Sequence, residues 1–284
     1  MIARVPASSA NLGPGFDALG MALSLWAEVG LIASDAADAD AVVPEGAHVA
    51  DEHHLATVAF RRLHGQGSLW VRSPIPMGRG LGYSAAVRVA GLMLACAQRD
   101  GVGADVVAGH ADEVLHHASA LEGHADNAAA AVLGGVVATT GERSIRVPMG
   151  FDPAVVVWVP SFVTRTDQSR SQLGTSVSLA DAVFNIGHVA FLVAAFAAGD
   201  VAALRHATQD RLHQPVRFAA APQSQAAYEA ALQAGAWSAW LSGSGPTVAA
   251  LCSLDMAADL AEALGADGHT KVLRIDHGGA TLEA

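Results

Sequence analysis

The chain has 284 residues, of which 52% are apolar and 15% charged, with a formal net charge of −11. So apolar a chain buries a core rather than staying disordered, and its length suits one large or two medium domains. Lys271 is the single lysine, which excludes the Walker A P-loop, the protein-kinase strand lysine and most lysine Schiff-base chemistry. No basic stripe marks a nucleic-acid partner. No stretch approaches the 18 apolar residues of a membrane span, and the N-terminus has no apolar signal core, so a soluble, cytoplasmic protein without a membrane partner is expected. Cys96 and Cys252 stand in apolar surroundings and are expected as small buried hydrophobes.

In chain order, strands are expected at residues 2–5, 27–33 and 68–72. Residues 84–99 place Ala86, Val87, Ala90, Leu94 and Ala97 on one helical face, with Gly101 as a stop. Further helices are expected over 103–121 and 127–133. Near Pro148 the texture changes, and the continuous apolar run 154–159 reads as a buried strand opening a second unit. Ser178 and Asp181 form a capping pattern before a long apolar helix ending at Gly199, and Asp200 is expected to cap another helix reaching His213. Helices at 222–234 and 255–264 flank strands at 236–241, 247–252 and 271–275. Strands and helices mixed in this order, without internal repeats, indicate an α+β protein.

Three loops stand out chemically. Pro76-Met77-Gly78-Arg79-Gly80-Leu81-Gly82-Tyr83-Ser84-Ala85-Ala86 puts three glycines immediately before a helix. Glycine lets backbone N–H groups turn inward, and the helix N-terminus adds unpaired donors, which makes a phosphate cradle without lysine. The plainer reading is a strand-to-helix turn with Ser84 as N-cap. Residues 6–20 form a polar, glycine-rich loop after the first strand, carrying Asn11 and Asp17, which also suit turns. The third loop, Leu241-Ser242-Gly243-Ser244-Gly245-Pro246-Thr247, is either a hairpin turn or a nest of N–H groups lining a nucleotide site.

These loops, with Leu121-Glu122-Gly123-His124-Ala125-Asp126-Asn127, the 178–182 segment and 210–217, resemble the GHMP small-molecule kinases, and within them the homoserine kinases. The resemblance spans nearly the whole chain. It implies a two-domain GHMP kinase fold: an N-terminal ribosomal-protein-like α+β domain over 1–150 and a ferredoxin-like C-terminal domain over 151–284, with ATP and substrate in the cleft between them. On this resemblance Pro76 and Gly78 to Ala86 hold the nucleotide, and Ser84 with Glu122 holds Mg²⁺, Glu113 being the alternative to Glu122. Asn11, Asp17, Asn127, Thr166, Arg170, Arg217, Gly243 and Ser244 fall on the substrate side, with Asp17 facing the substrate ammonium. Asn127 would stand nearest the reacting hydroxyl in a base-free design, with Asp126 as the rival base or a loop brace. A homodimer is implied.

Two departures matter. Tyr83 replaces the family's usual second serine in the phosphate loop, and a phenol must point elsewhere, across the base or over the cleft. His53-His54 occupies a helix start where relatives carry an asparagine near the base. Both leave open a sister kinase acting on another alcohol, and a non-catalytic relative with Tyr83 blocking the nucleotide. The 13 histidines show no metal-ligand spacing, so no structural metal is expected. His124 and His213 fall in matched segments and suit cleft roles, His213 alternatively ending its helix beside the dipole. Without lysine, positive charge at the phosphates is left to Mg²⁺, N–H groups and Arg79.

Overall fold

A computed structural model describes residues 1–32, 43–101, 104–162, 170–265 and 267–283; Thr166 and the acidic spacer 34–40 lie outside these residues. Strands β1 (Ile2–Ala10) and β2 (Leu19–Leu31) form an antiparallel hairpin whose register shifts between Pro6 and Ala7, where proline has no N–H to give the ladder. The expected loop 6–20 therefore shrinks to 11–18. Ser8 and Ser9 look like loop residues, but both are fully buried in β1 and bonded across the molecule.

Thirteen residues long, β2 is paired along its other edge by two strands. Residues 28–31 pair with β4 (Leu69–Arg72), and residues 19–21 with β5 (Val136–Thr139). Beyond these, β3 (His48–Ala50) joins β4 and β6 (Ser144–Val147) joins β5. Helices α1 (Leu55–Arg62), α2 (Tyr83–Asp100), α3 (Ala104–Glu122) and α4 (Asp126–Leu133) follow in order, with α2 and α4 packed on β1 and β2 and α1 and α3 against α2.

The second sheet holds β7 (Ala154–Pro160), β8 (Ser238–Leu241), β9 (Val248–Cys252) and β10 (Gly268–Arg274) in the spatial order β10-β7-β9-β8. Between β7 and β8 run α5 (Leu179–Ala198), α6 (Leu204–Ala207), α7 (Gln214–Ala220) and α8 (Pro222–Gln233), and α9 (Ala257–Ala263) precedes β10. This is a βαββαβ arrangement. The unbroken apolar run of β7 follows from burial on both faces: Val155, Val157 and Val159 enter the larger core, while Ala154, Val156 and Trp158 enter the core under α8 and α9. The last strand, β11 (Thr281–Glu283), returns to pair with β1, so residues beyond 150 complete the first sheet.

Two expectations change. The helix from Asp200 to His213 does not form. Asp200 caps only a turn at Val201–Ala203, and Asp210 intervenes by accepting the N–H groups of Leu212, His213 and Gln214 at 3.0, 2.9 and 2.7 Å. His213 consequently opens α7 instead of ending a helix. Secondly, α5 is long and apolar enough to cross a membrane by length and composition alone. Leu179, Val183, Ile186 and Phe191 are exposed on it, whereas its buried Asn185 donates to Pro14 O at 3.0 Å and to Asp210 at 2.6 Å, tying the helix to the 11–18 loop.

Candidate active site

The three glycine-rich loops converge on one cleft of about 180 Å³. Its lining includes Asn11, Asp17, Pro76, Gly78 to Ser84, Glu122, Asn127, Arg170, Arg217, Gly243 and Ser244, together with Phe16, Leu55, Met77, His124 and Asp126. Of the expected site residues that are described, only Ala85 and Ala86 stand apart. Both are fully buried behind the loop, and the Ala86 N–H already donates to Gly82 O at 2.9 Å.

Close approach explains two of the loop glycines. A Cβ on Gly80 would lie 2.2 Å from Ser242 O, and one on Gly82 would lie 2.0 Å from Ser8 Oγ, while both residues sit at positive φ, +77° and +68°. Ser242 Oγ donates to Gly80 O at 2.5 Å and lies 2.8 Å from Ser9 Oγ, which accepts from Trp240 Nε1 at 2.9 Å. Arg79 is also a strap: its guanidinium donates to Pro160 O at 2.7 Å and Ser161 O at 2.8 Å. It fastens the glycine-rich loop to the end of β7, while its buried Nε has no partner.

Gly82, not Ser84, is the N-cap of α2. Ser84 lies inside the first turn, and its Oγ donates to Glu122 Oε2 at 2.8 Å; the other carboxylate oxygen pairs with Arg88. Ser84 Oγ and the Glu122 carboxylate are hard oxygen donors side by side in the cleft lining, a donor set that would suit Mg²⁺. Glu113 is elsewhere: on α3 it binds Arg99 at 2.9 Å and lies beside His110 and Cys96, outside the cleft lining.

The other side of the cleft is built on a strained loop. Asn11, Leu12 and Asp17 all have positive φ, at 72°, 48° and 57°. Asn11 holds this shape, accepting the Asp17 N–H at 3.1 Å and donating to Gly243 O at 2.9 Å, so it acts first as a brace. Asp17 in turn accepts from Arg170 Nη2 at 2.6 Å. Phe16 was not singled out in the sequence, though it is the only aromatic residue in that loop. Its ring lies 5.2 Å from the Arg170 guanidinium, 5.3 Å from that of Arg217, and stacks on His213 at 5.2 Å.

Arg217 is 5% exposed, and burial pushes its guanidinium down to about 10. Nη1 donates to Gly243 O at 2.9 Å and contacts His213 Nδ1 at 3.1 Å, while the buried Nε has no partner. Arginine only donates, so His213 Nδ1 accepts and its Nε2–H donates to Gly13 O at 2.8 Å; burial lowers its pKa and keeps this imidazole neutral.

The Asp126 carboxylate accepts the Asn127 N–H at 2.7 Å and pairs with His124 Nδ1 at 2.8 Å, which makes it a brace. Burial alone would lower the His124 pKa, but the Asp126 bond and the charges of Asp126, Glu122 and Asp17 outweigh it and raise the value. Ser8 Oγ donates to Asn127 Oδ1 at 2.8 Å, leaving the Asn127 amide nitrogen as its donor.

Residues 49–135 match the family described as GHMP kinases N terminal domain, and residues 192–270 match GHMP kinases C terminal. A homoserine kinase of Gloeobacter violaceus is 42% identical over 93% of this chain and 91% of its own length. The chain belongs to the GHMP kinases, in their homoserine kinase branch. Solved structures agree. The homoserine kinase of Cytophaga hutchinsonii matches with a TM-score of 0.81 at 25% identity, covering 99% of this chain and 96% of that one. A putative homoserine kinase of Listeria monocytogenes matches at 0.77 with 28% identity, covering 100% and 99%. In the cleft a glycine-rich loop stands beside the ion pair of Asp17 and Arg170.

Proposed function

We propose that the cleft transfers the γ-phosphoryl group of ATP to the side-chain hydroxyl of L-homoserine, in the cytoplasm, with Mg²⁺ at Ser84 and Glu122. The observation that carries this is the buried, unpartnered Nε of Arg217 in the same cleft as Asp17. A buried donor without an acceptor is costly, and a substrate carboxylate supplies one. An amino acid presents an ammonium to Asp17 and a carboxylate to Arg170 and Arg217, so it takes over both halves of the Asp17–Arg170 pair.

In the transfer, the hydroxyl oxygen bonds to the γ-phosphorus as the bond to the ADP bridging oxygen breaks, and the hydroxyl proton leaves with the product phosphate or to water. Mg²⁺, when bound, draws charge from the phosphate oxygens. Asn127, fixed by Ser8, donates its amide hydrogen to the substrate hydroxyl and holds the oxygen in line. No general base is required of Asp126, whose Oδ1 holds His124 and the Asn127 backbone. The N–H groups at the start of α2 offset developing negative charge. Formation of ADP and phosphohomoserine from ATP and L-homoserine, followed by ³¹P NMR, tests the proposal; turnover of another alcohol but not L-homoserine would favour a sister kinase.

A further inference from the structure

The two departures from the family pattern, Tyr83 and His54, meet each other. His54 Nε2 lies 3.1 Å from the Tyr83 hydroxyl. His54 is also the N-cap of α1, where Nδ1 accepts the Ala56 N–H at 3.1 Å. A nitrogen that accepts cannot carry the proton, so Nε2–H is the donor and Tyr83 Oη the acceptor. The His48 ring packs edge-on against His54 at 5.8 Å and closes the far side. Burial and then His48 lower the His54 pKa, and burial raises that of Tyr83, so both stay neutral. Tyr83 is 8% exposed, and what it shows forms part of the cleft wall beside Leu55, Pro76 and Met77. That wall is one apolar stretch of a lining that elsewhere offers mostly glycine N–H groups and polar or charged side chains, Phe16 and Leu81 being its other large apolar members. Met77, 65% exposed, adds a thioether that stacks readily on a flat ring.

We propose that Tyr83 is a wall of the subsite for the nucleotide base and that His54 is its positioning residue, so that the pair sets base affinity while leaving the phosphate loop unchanged. The proposal rests on the ATP reading above. A nucleobase needs an apolar face more than it needs charge, and this wall provides one, whereas Phe16 is already packed against two guanidiniums and His213. The phenol is turned toward α1 and bonded there, which keeps it out of the glycine cradle, so Tyr83 does not block the nucleotide.

The test uses three proteins and two probes that differ by the nucleoside. His54→Ser retains a good helix cap but is too short to reach Tyr83. Tyr83→Phe keeps the ring and removes the acceptor. Calorimetry is run with ATP and with inorganic tripolyphosphate, which has no base, and thermal midpoints show that each variant folds. We expect each single variant to weaken ATP about fivefold or more, to leave tripolyphosphate within about twofold, and the double variant to be no worse than either single one. Unchanged ATP affinity, equal weakening of both probes, or additive effects in the double variant would overturn the pairing. If the unaltered protein binds tripolyphosphate but not ATP, the base subsite fails while the phosphate loop stands; if it binds neither, the nucleotide reading itself fails.

Discussion

Arg170 reaches across 153 positions of sequence to donate to Asp17 at 2.6 Å, and both side chains remain partly exposed, at 42% and 34%. A pair this open is worth only about 0.2–1 kcal/mol, so a zwitterion can replace it cheaply. Asp17→Asn should raise the KM for L-homoserine about tenfold or more while the KM for ATP and the melting temperature barely move. Steady-state kinetics with each substrate varied in turn checks this, and an equal rise in both KM values would place Asp17 in the wrong subsite.

The Ser84–Glu122 contact should act on kcat. Ser84→Ala and Glu122→Gln each remove one hard oxygen, and a drop of about 100-fold in kcat is expected, with a higher Mg²⁺ concentration needed for half-maximal rate. Glu113→Gln, on the far side of α3, should leave the Mg²⁺ dependence unchanged. A Mg²⁺ titration of the three variants separates these sites.

Arg217 predicts opposite effects on stability and function. Its folded pKa of about 10 lies below the ordinary guanidinium value, so between the two the unfolded chain binds more protons and stability rises with pH there. At neutral pH the burial is therefore a standing cost. Arg217→Met should stabilise the fold by about 1–3 kcal/mol in urea unfolding at pH 7, yet raise the KM for L-homoserine about 100-fold. A destabilised variant would mean that the bonds to Gly243 and His213 outweigh the burial.

For His124 the sign is reversed. A folded pKa above 6.5 contributes stability fully present below 6.5 and lost as the pH rises through the folded value. Asp126→Asn removes its hydrogen-bonded partner and should shift the His124 imidazole titration downward, read by NMR. A titration that does not move would show that Asp126 is not what holds the proton.

The helical spacing of α2 and the apolar run of β7 were legible in the sequence because each is long and periodic or doubly buried. The strands β3, β5 and β6, of three or four residues, were not legible, and neither was the strand character of Ser8 and Ser9, whose hydroxyls find partners far along the chain. Glycine clusters pointed to the cleft because turns concentrate them. Phe16, which carries both arginines, and the bond joining His54 to Tyr83 depend on tertiary placement. The expected helix from Asp200 failed because one carboxylate, Asp210, offered three N–H groups a better partner.

The central claim is tested most directly by ³¹P NMR of the purified protein with ATP, Mg²⁺ and L-homoserine. The account predicts stoichiometric ADP and a phosphate monoester on the homoserine hydroxyl, nearly abolished in Arg217→Met at subsaturating L-homoserine. ATP turnover that is indifferent to L-homoserine, or a phosphorylated alcohol lacking the amino-acid carboxylate as the preferred product, would contradict it.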